Sequence, residues 1–249
     1  MSPQLAALLA GLLGLVFGSF ANVVIHRVPR GESVVRPASR CPACRAPVAW
    51  RDNLPVLGWL LLGGRCRACR APIGARYPLV ELGMGLLWAL LTLRLVQAGL
   101  GWAVPAYLAL AFVCVVLAVI DASTRLLPNR ITYPAFPVVL GLLLVASVGL
   151  GDLGRLGRGL LAALAVGAFF LALALISPRG MGLGDVKLAL LIGAMLGLDV
   201  IPALFIGFLS LWPVGLYLIA TQGWSARKAK VPLGPSLAFG AIVVLLLSG

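Results

Sequence analysis

The chain has 249 residues, 61% of them hydrophobic and only 11% charged, with 20 Lys and Arg against 7 Asp and Glu for a formal net charge of +13. An ordinary soluble domain is about one-quarter charged, so this composition excludes a water-soluble globular protein and requires that much of the apolar surface face lipid. Ten of the 20 basic residues lie between Arg27 and Arg76. Beside apolar spans, retention of positive loops in the cytoplasm and attraction to anionic lipid headgroups account for such a cluster without nucleic acid.

From the N-terminus, residues 1–25 are apolar and lack Lys and Arg, and positive charge arrives only afterwards, at Arg27 and Arg30. That is the reverse of a secretory signal peptide, and it predicts an uncleaved first span, Gln4 to Ile25, whose C-terminal end stays in the cytoplasm. A crossing helix needs roughly 20 apolar residues. Further spans are predicted at Leu79 to Val96, Trp102 to Ile120, Ile131 to Leu150, Gly159 to Ile176, Val186 to Leu198, Val200 to Ala220 and Leu233 to Leu247, the sixth being short and broken from the next near Asp199 and Pro202.

The connections at 26–78, 121–130, 177–187 and 221–232 carry the basic residues, including Arg125, Arg130, Arg179, Lys187, Arg227, Lys228 and Lys230. The opposite connections carry only Arg155 and Arg158, with Arg94 near the end of the second span. The charge bias therefore predicts both termini outside and those four connections in the cytoplasm. The expected fold is an all-α integral membrane protein of about eight transmembrane helices: a first span at 1–25, a cytoplasmic loop domain at 26–78 and a polytopic membrane domain at 79–249. No internal repeat is evident.

The loop holds Cys41-Pro-Ala-Cys44 and Cys66-Arg-Ala-Cys69, two CxxC pairs 21 residues apart. Each pair offers two thiolates on one side of a tight turn, and two such knuckles complete a closed tetrahedral zinc shell. Four cysteines leave no open position for water, so the metal would be structural. A loop of about 50 residues needs that help to fold. The fifth cysteine, Cys114, lies in an apolar run and is expected to be a small packed residue; the single histidine, His26, cannot build a histidine metal site.

Ionisable groups at or within spans are functional candidates by default. Asp152 and Asp199 fall at outer connections, and Glu32 and Asp52 belong to the soluble loop. Asp121 ends the third predicted span and Asp185 opens the sixth, within Gly182-Leu183-Gly184-Asp185-Val186-Lys187. Both are placed at the cytoplasmic face. If their helices are neighbours, the two carboxyl groups form a proton-sharing pair suited to peptide hydrolysis; simple pairing with Arg125 or Lys187 is the alternative.

Taken in order, these pieces resemble the type IV prepilin peptidases, membrane aspartic proteases of the GxGD class. The resemblance runs from Gly18-Ser19-Phe20-Ala21-Asn22 through both CxxC pairs, Asn53-Leu54-Pro55-Val56-Leu57-Gly58-Trp59 and Arg76-Tyr77-Pro78-Leu79-Val80-Glu81. It continues through Asp121 with Leu127-Pro128-Asn129 to Gly182, Gly184, Asp185 and Lys187. It implies Asp121 and Asp185 as catalytic residues, with Gly182, Gly184 and Lys187 as motif support. The implied reaction removes the leader from prepilins or pseudopilins after a glycine, at the cytoplasmic face of a bacterial inner membrane. N-methylation of the new terminus with S-adenosylmethionine would follow, with Glu81 and Gly85 in the stretch connected with it and zinc on Cys41, Cys44, Cys66 and Cys69. Implied partners are the prepilin substrates, membrane lipid and a pilus or type II secretion assembly. Two departures stand out: Asn129 where Asp is frequent, and Gly83 where a bulkier or polar residue is common. The competing readings are a proton-coupled membrane transporter with a zinc-binding regulatory loop, and a non-catalytic scaffold of a secretion assembly.

Overall fold

The computed structural model describes residues 2–177, 181–223 and 231–247. Arg179, Arg227, Lys228 and Lys230, four of the charges on which the predicted topology rests, lie outside the described residues, as does Gly180. The protein is all-α, as expected: among the described residues the β pairings are two isolated bridges, Arg40 with Pro47 and Arg65 with Pro72. The helices are α1 (Pro3–Arg27), α2 (Leu57–Leu61), α3 (Arg76–Gln97), α4 (Val104–Thr124), α5 (Asn129–Gly149), α6 (Leu153–Ile176), α7 (Leu183–Leu196), α8 (Val200–Leu209), α9 (Leu211–Gln222) and α10 (Gly234–Leu247).

Six apolar helical stretches among the described residues are long enough to cross a membrane. The last, Leu183–Thr221, has 39 residues, about 58 Å at 1.5 Å per residue and so close to the length of two crossings of a ~30 Å core. It breaks where Gly197 takes a left-handed φ of 58°, a conformation that costs glycine nothing, and again at Ser210 between α8 and α9. With the shorter α10, the apolar segments number eight among the described residues, matching the predicted spans.

The chain forms two compact units, Met1–Leu93 and Arg94–Gly249. In the first, α1 lies against α3 along a seam of small residues. A Cβ at Gly18 would sit 2.6 Å from the Glu81 Cα, and one at Gly14 would sit 2.8 Å from the Met84 carbonyl oxygen. Lipid offers no hydrophobic drive between helices, so such close backbone approach supplies the packing. Val80, Met84, Leu87, Leu91 and Leu95 form the buried stripe of α3, while Leu79, Leu82, Leu86 and Leu90 are exposed.

In the second unit α7 is the hub, packed on α4, α5, α6 and α10. Nine of its 14 residues are buried, from Val186 to Leu196, as expected of a helix that is apolar on every side. Close approach recurs here: a Cβ at Gly159 of α6 would meet the Ala194 carbonyl oxygen at 2.2 Å, and one at Gly240 of α10 would meet the Ala203 carbonyl oxygen at 2.0 Å. Pro134 and Pro137 lie inside α5, which spans tolerate when neighbouring helices re-satisfy the freed carbonyls.

Candidate active site and metal centre

Asp121 occupies the last turn of α4 and is buried, and Asp185 occupies the first turn of α7. α4 packs on α7, so the two helices that carry the aspartates are in contact. Both carboxylates cap helix N-termini. The backbone N–H of Gly234, the first residue of α10, donates to Asp121 Oδ2 at 2.9 Å. The N–H of Gly182, just ahead of α7, donates to Asp185 Oδ2 at 3.1 Å. A carboxylate is favoured there because the first N–H groups of a helix have no partner of their own and carry partial positive charge. Each aspartate is thus oriented through one oxygen.

The ion pairs among the described residues are Arg67 with Asp52 and Arg158 with Asp152; neither Asp121 nor Asp185 takes part in one. Lys187 turns instead to α5, donating to Asn129 Oδ1 at 2.6 Å and to the Tyr133 hydroxyl at 3.2 Å, with its ammonium 4.4 Å from the centre of the Tyr133 ring. Asn129 therefore supplies the acceptor that an aspartate would supply with a charge. The two motif glycines differ in what they do. Gly182 gives its amide to Asp185, whereas a Cβ at Gly184 would lie 2.6 Å from the Leu127 Cβ, so Gly184 lets the connection between α4 and α5 close on the start of α7.

Sequence reasoning missed Gly234, Leu127 as a contact of Gly184, and Tyr133. Gly234-Pro235 ahead of an apolar run is a helix-start signal, but nothing local says that the helix starts against Asp121.

In the first unit the four cysteine sulfurs lie within 4.8 Å of one another, with Cys41 and Cys69 3.8 Å apart and Cys44 and Cys66 4.0 Å apart. A tetrahedral zinc with bonds of about 2.3 Å needs edges of about 3.8 Å, so the donors fit that ion. The two knuckles are built alike. The Cys41 and Cys66 amides donate to the Ala46 and Ala71 carbonyls, those of Arg45 and Arg70 donate back to the Cys41 and Cys66 carbonyls, and Arg45 and Arg70 share φ near 60°. Arg40-Cys-Pro-Ala-Cys-Arg-Ala-Pro47 and Arg65-Cys-Arg-Ala-Cys-Arg-Ala-Pro72 are a repeated octapeptide identical at seven of eight positions, with Pro42 standing against Arg67. This corrects the expectation of no internal repeat, which a search at the scale of whole elements overlooks. The Cys44 and Ala43 amides hold the Cys41 thiol down to about 6, whereas Cys69, facing the other three sulfurs, is pushed up to about 11; a metal needs all four as thiolates. Cys114 is buried in α4, as expected of a packed residue.

Glu81 lines a cavity of about 900 Å³ in this unit, together with Ser19, Asn22, His26 and residues of both knuckles. Its Oε2 accepts the Val56 N–H at 2.7 Å. The Asn22 side-chain amide donates to the Tyr77 carbonyl at 3.0 Å, which forces its Oδ1 the other way, buried without a partner among the described residues. The volume is that of a nucleoside-sized ligand, and the wall mixes Glu32, Asp52 and Glu81 with Arg27, Arg36, Arg40, Arg45 and Arg67. Gly85 is not in the cavity wall: it lies one turn beyond Glu81 in the seam, where a Cβ would meet Leu15 at 2.8 Å.

Residues 12–95 match the bacterial peptidase A24 N-terminal domain, and residues 108–225 match the type IV leader peptidase family. A prepilin leader peptidase/N-methyltransferase of Klebsiella pneumoniae is 41% identical over 199 residues, covering 77% of this chain and 85% of that protein. Proteins of the same description from Aeromonas salmonicida and Bacillus subtilis are 35% and 31% identical, each covering more than nine-tenths of both chains. No solved structure matches. With both domain matches in order and relatives alike along nearly their whole length, the chain belongs to the prepilin leader peptidase/N-methyltransferase family.

Proposed function

We propose that this enzyme is a membrane aspartic endopeptidase of the bacterial inner membrane, which cuts the leader from type IV prepilins or pseudopilins after a glycine at the cytoplasmic face. What supports this reading is that Asp121 and Asp185 stand on packed helices, each oriented by a glycine amide and, among the described residues, in no ion pair. Two such carboxyl groups share one proton. The ionised member takes a proton from the attacking water while the protonated member gives its own to the scissile carbonyl, forming a gem-diol. The proton taken from water then passes to the leaving amine, the C–N bond breaks, and the first donor recovers its proton from the gem-diol, leaving the pair with one proton again. Lys187, held on Asn129 and Tyr133, keeps the α5 side of the site in register without neutralising either acid. The pilus or secretion assembly is where the product would be used.

Asp121→Asn and Asp185→Asn, assayed separately on a prepilin in proteoliposomes, are each expected to lower cleavage by about 10³-fold or more, as loss of a positioned acid or base does. Full cleavage by either variant would remove the pair from the mechanism.

The second activity, N-methylation of the new terminus, is assigned to the first unit. S-adenosylmethionine supplies an electrophilic methyl group when bound. Glu81 and Asn22 would offer acceptors to the substrate ammonium or to the cofactor, and Glu81 would take the proton that the amine releases. Gly85 acts on the same step by keeping α1 close to α3. Zinc on Cys41, Cys44, Cys66 and Cys69 would hold the cavity wall in shape.

A further inference from the structure

Helix α2 is barely over one turn long, yet it displays Leu57, Leu60 and Leu61, which are 58%, 59% and 80% exposed. The spacing i, i+3, i+4 puts them on one face. The other side is packed: Gly58 is buried, and a Cβ there would lie 2.2 Å from the Asp52 carbonyl oxygen. Trp59 donates its indole N–H to the Ile73 carbonyl at 2.9 Å and covers Gly64. Trp50, 80% exposed, belongs to a short 3-10 turn, Trp50–Asn53, that packs on α2. The stripe is therefore the unpartnered side of a helix whose other face is committed to the module.

Its height is set by a hydrogen bond. The Val56 N–H, immediately ahead of α2, donates to Glu81, which lies five residues past Arg76 on α3, about 7–8 Å along the helix axis. At that level α3 already exposes Leu79 and Leu82, so the Glu81 tether holds the start of α2 beside the first exposed leucines of α3. The tether is firm enough to hold Val56 at φ 62°, a region that β-branched residues avoid. Arg51 and Arg65, both exposed, bracket the leucine helix in the chain.

We infer that the loop module is not a free cytoplasmic domain: Leu57, Leu60, Leu61 and Trp50 insert into the headgroup and acyl boundary of the same bilayer that the spans cross, with Arg51 and Arg65 at the anionic headgroups. Apolar residues on one helical face, an interfacial tryptophan and flanking arginines are the chemistry of such an anchor. It would keep the cavity beside Glu81 at the membrane surface. The inference rests on the multi-pass membrane fold and is independent of the aspartate assignment.

The test uses the full chain in vesicles of phosphatidylcholine and phosphatidylglycerol, with an environment-sensitive fluorescent amino acid at position 61 or 57, or at position 45 on the turn of the first knuckle. Lipids brominated near the top of the acyl chain are expected to quench position 61 by about twofold or more, as for a side chain at the interface, and to leave position 45 nearly unchanged. Aqueous iodide should give the reverse order. Quenching of positions 57 and 61 by iodide and not by lipid would overturn the proposal. Shielding from iodide that appears only after prepilin is added would also overturn it and make the stripe a substrate surface. Prepilin cleavage by the labelled chains, measured alongside, reports separately on the peptidase reading.

Discussion

Gly184 shows how a two-letter motif divides its work. The amide of Gly182 orients Asp185, while the absent side chain of Gly184 admits Leu127. Gly184→Ala would push apart the start of α7 and the connection that follows Asp121. Since misplacement by about 1 Å costs roughly 10²-fold in rate, cleavage should fall to that extent. Adding Leu127→Gly, which removes the clashing atom, should restore part of it in the same kinetic assay. Asp52 makes a second, smaller prediction. The Arg67 guanidinium donates to both of its carboxylate oxygens and holds it below its ordinary value of 3.8. The folded value is the lower one, so this pair contributes stability above pH ~4 that is lost as the pH falls through the folded value. Asp52→Asn should therefore lower the unfolding temperature of the loop at neutral pH, an effect that shrinks as the pH falls through the folded value of Asp52. Of these residues the motif aspartates and glycines were legible in the sequence. Leu127 was visible only as a motif letter, because its contact spans 57 positions of chain.

At the scale of elements, the α1–α3 seam separates glycines that a sequence treats alike. Gly18 faces the Glu81 backbone, while nothing lies within 4 Å of a Cβ at Gly83. Gly18→Ala is expected to displace Glu81 and to lose most methylation while cleavage by the second unit persists. Gly83→Ala should keep both activities and gain about 0.5–1 kcal/mol from helix propensity; a thermal shift in detergent together with the two assays would check both. The common bulkier residue at this position is thus accommodated, and its absence here has no steric meaning. The pair of knuckles is an element of another kind. Their spacing announced a metal site, but the repeated octapeptide is short enough to pass as composition until both turns are seen with the same hydrogen bonds and the same left-handed arginine.

On the scale of the molecule, the methylation candidates and cysteines fall within one compact unit and the aspartates within the other. Removal of metal with a strong thiol-competing chelator is therefore expected to unfold the knuckles and abolish methylation while leaving most cleavage, since folding of a small metal module and binding of its ion are one equilibrium. Equal loss of both activities would join what the fold divides, and a chain without metal whose loop stays folded would reject the zinc assignment. The all-α membrane class, the number of apolar segments, the cysteine cluster and the two candidate acids follow from the sequence by itself, because each is written locally: in runs of apolar residues, in CxxC spacing, in rare acids beside spans. Tertiary structure alone decided that Gly234 orients Asp121, that Lys187 serves Asn129 and Tyr133 rather than an acid, that Gly85 packs a seam instead of lining a cavity, and that Val56 hangs on Glu81. Each of these is a contact between distant stretches of chain, set by which helices come close enough for a backbone amide or a missing Cβ to matter. No periodicity along the sequence encodes it.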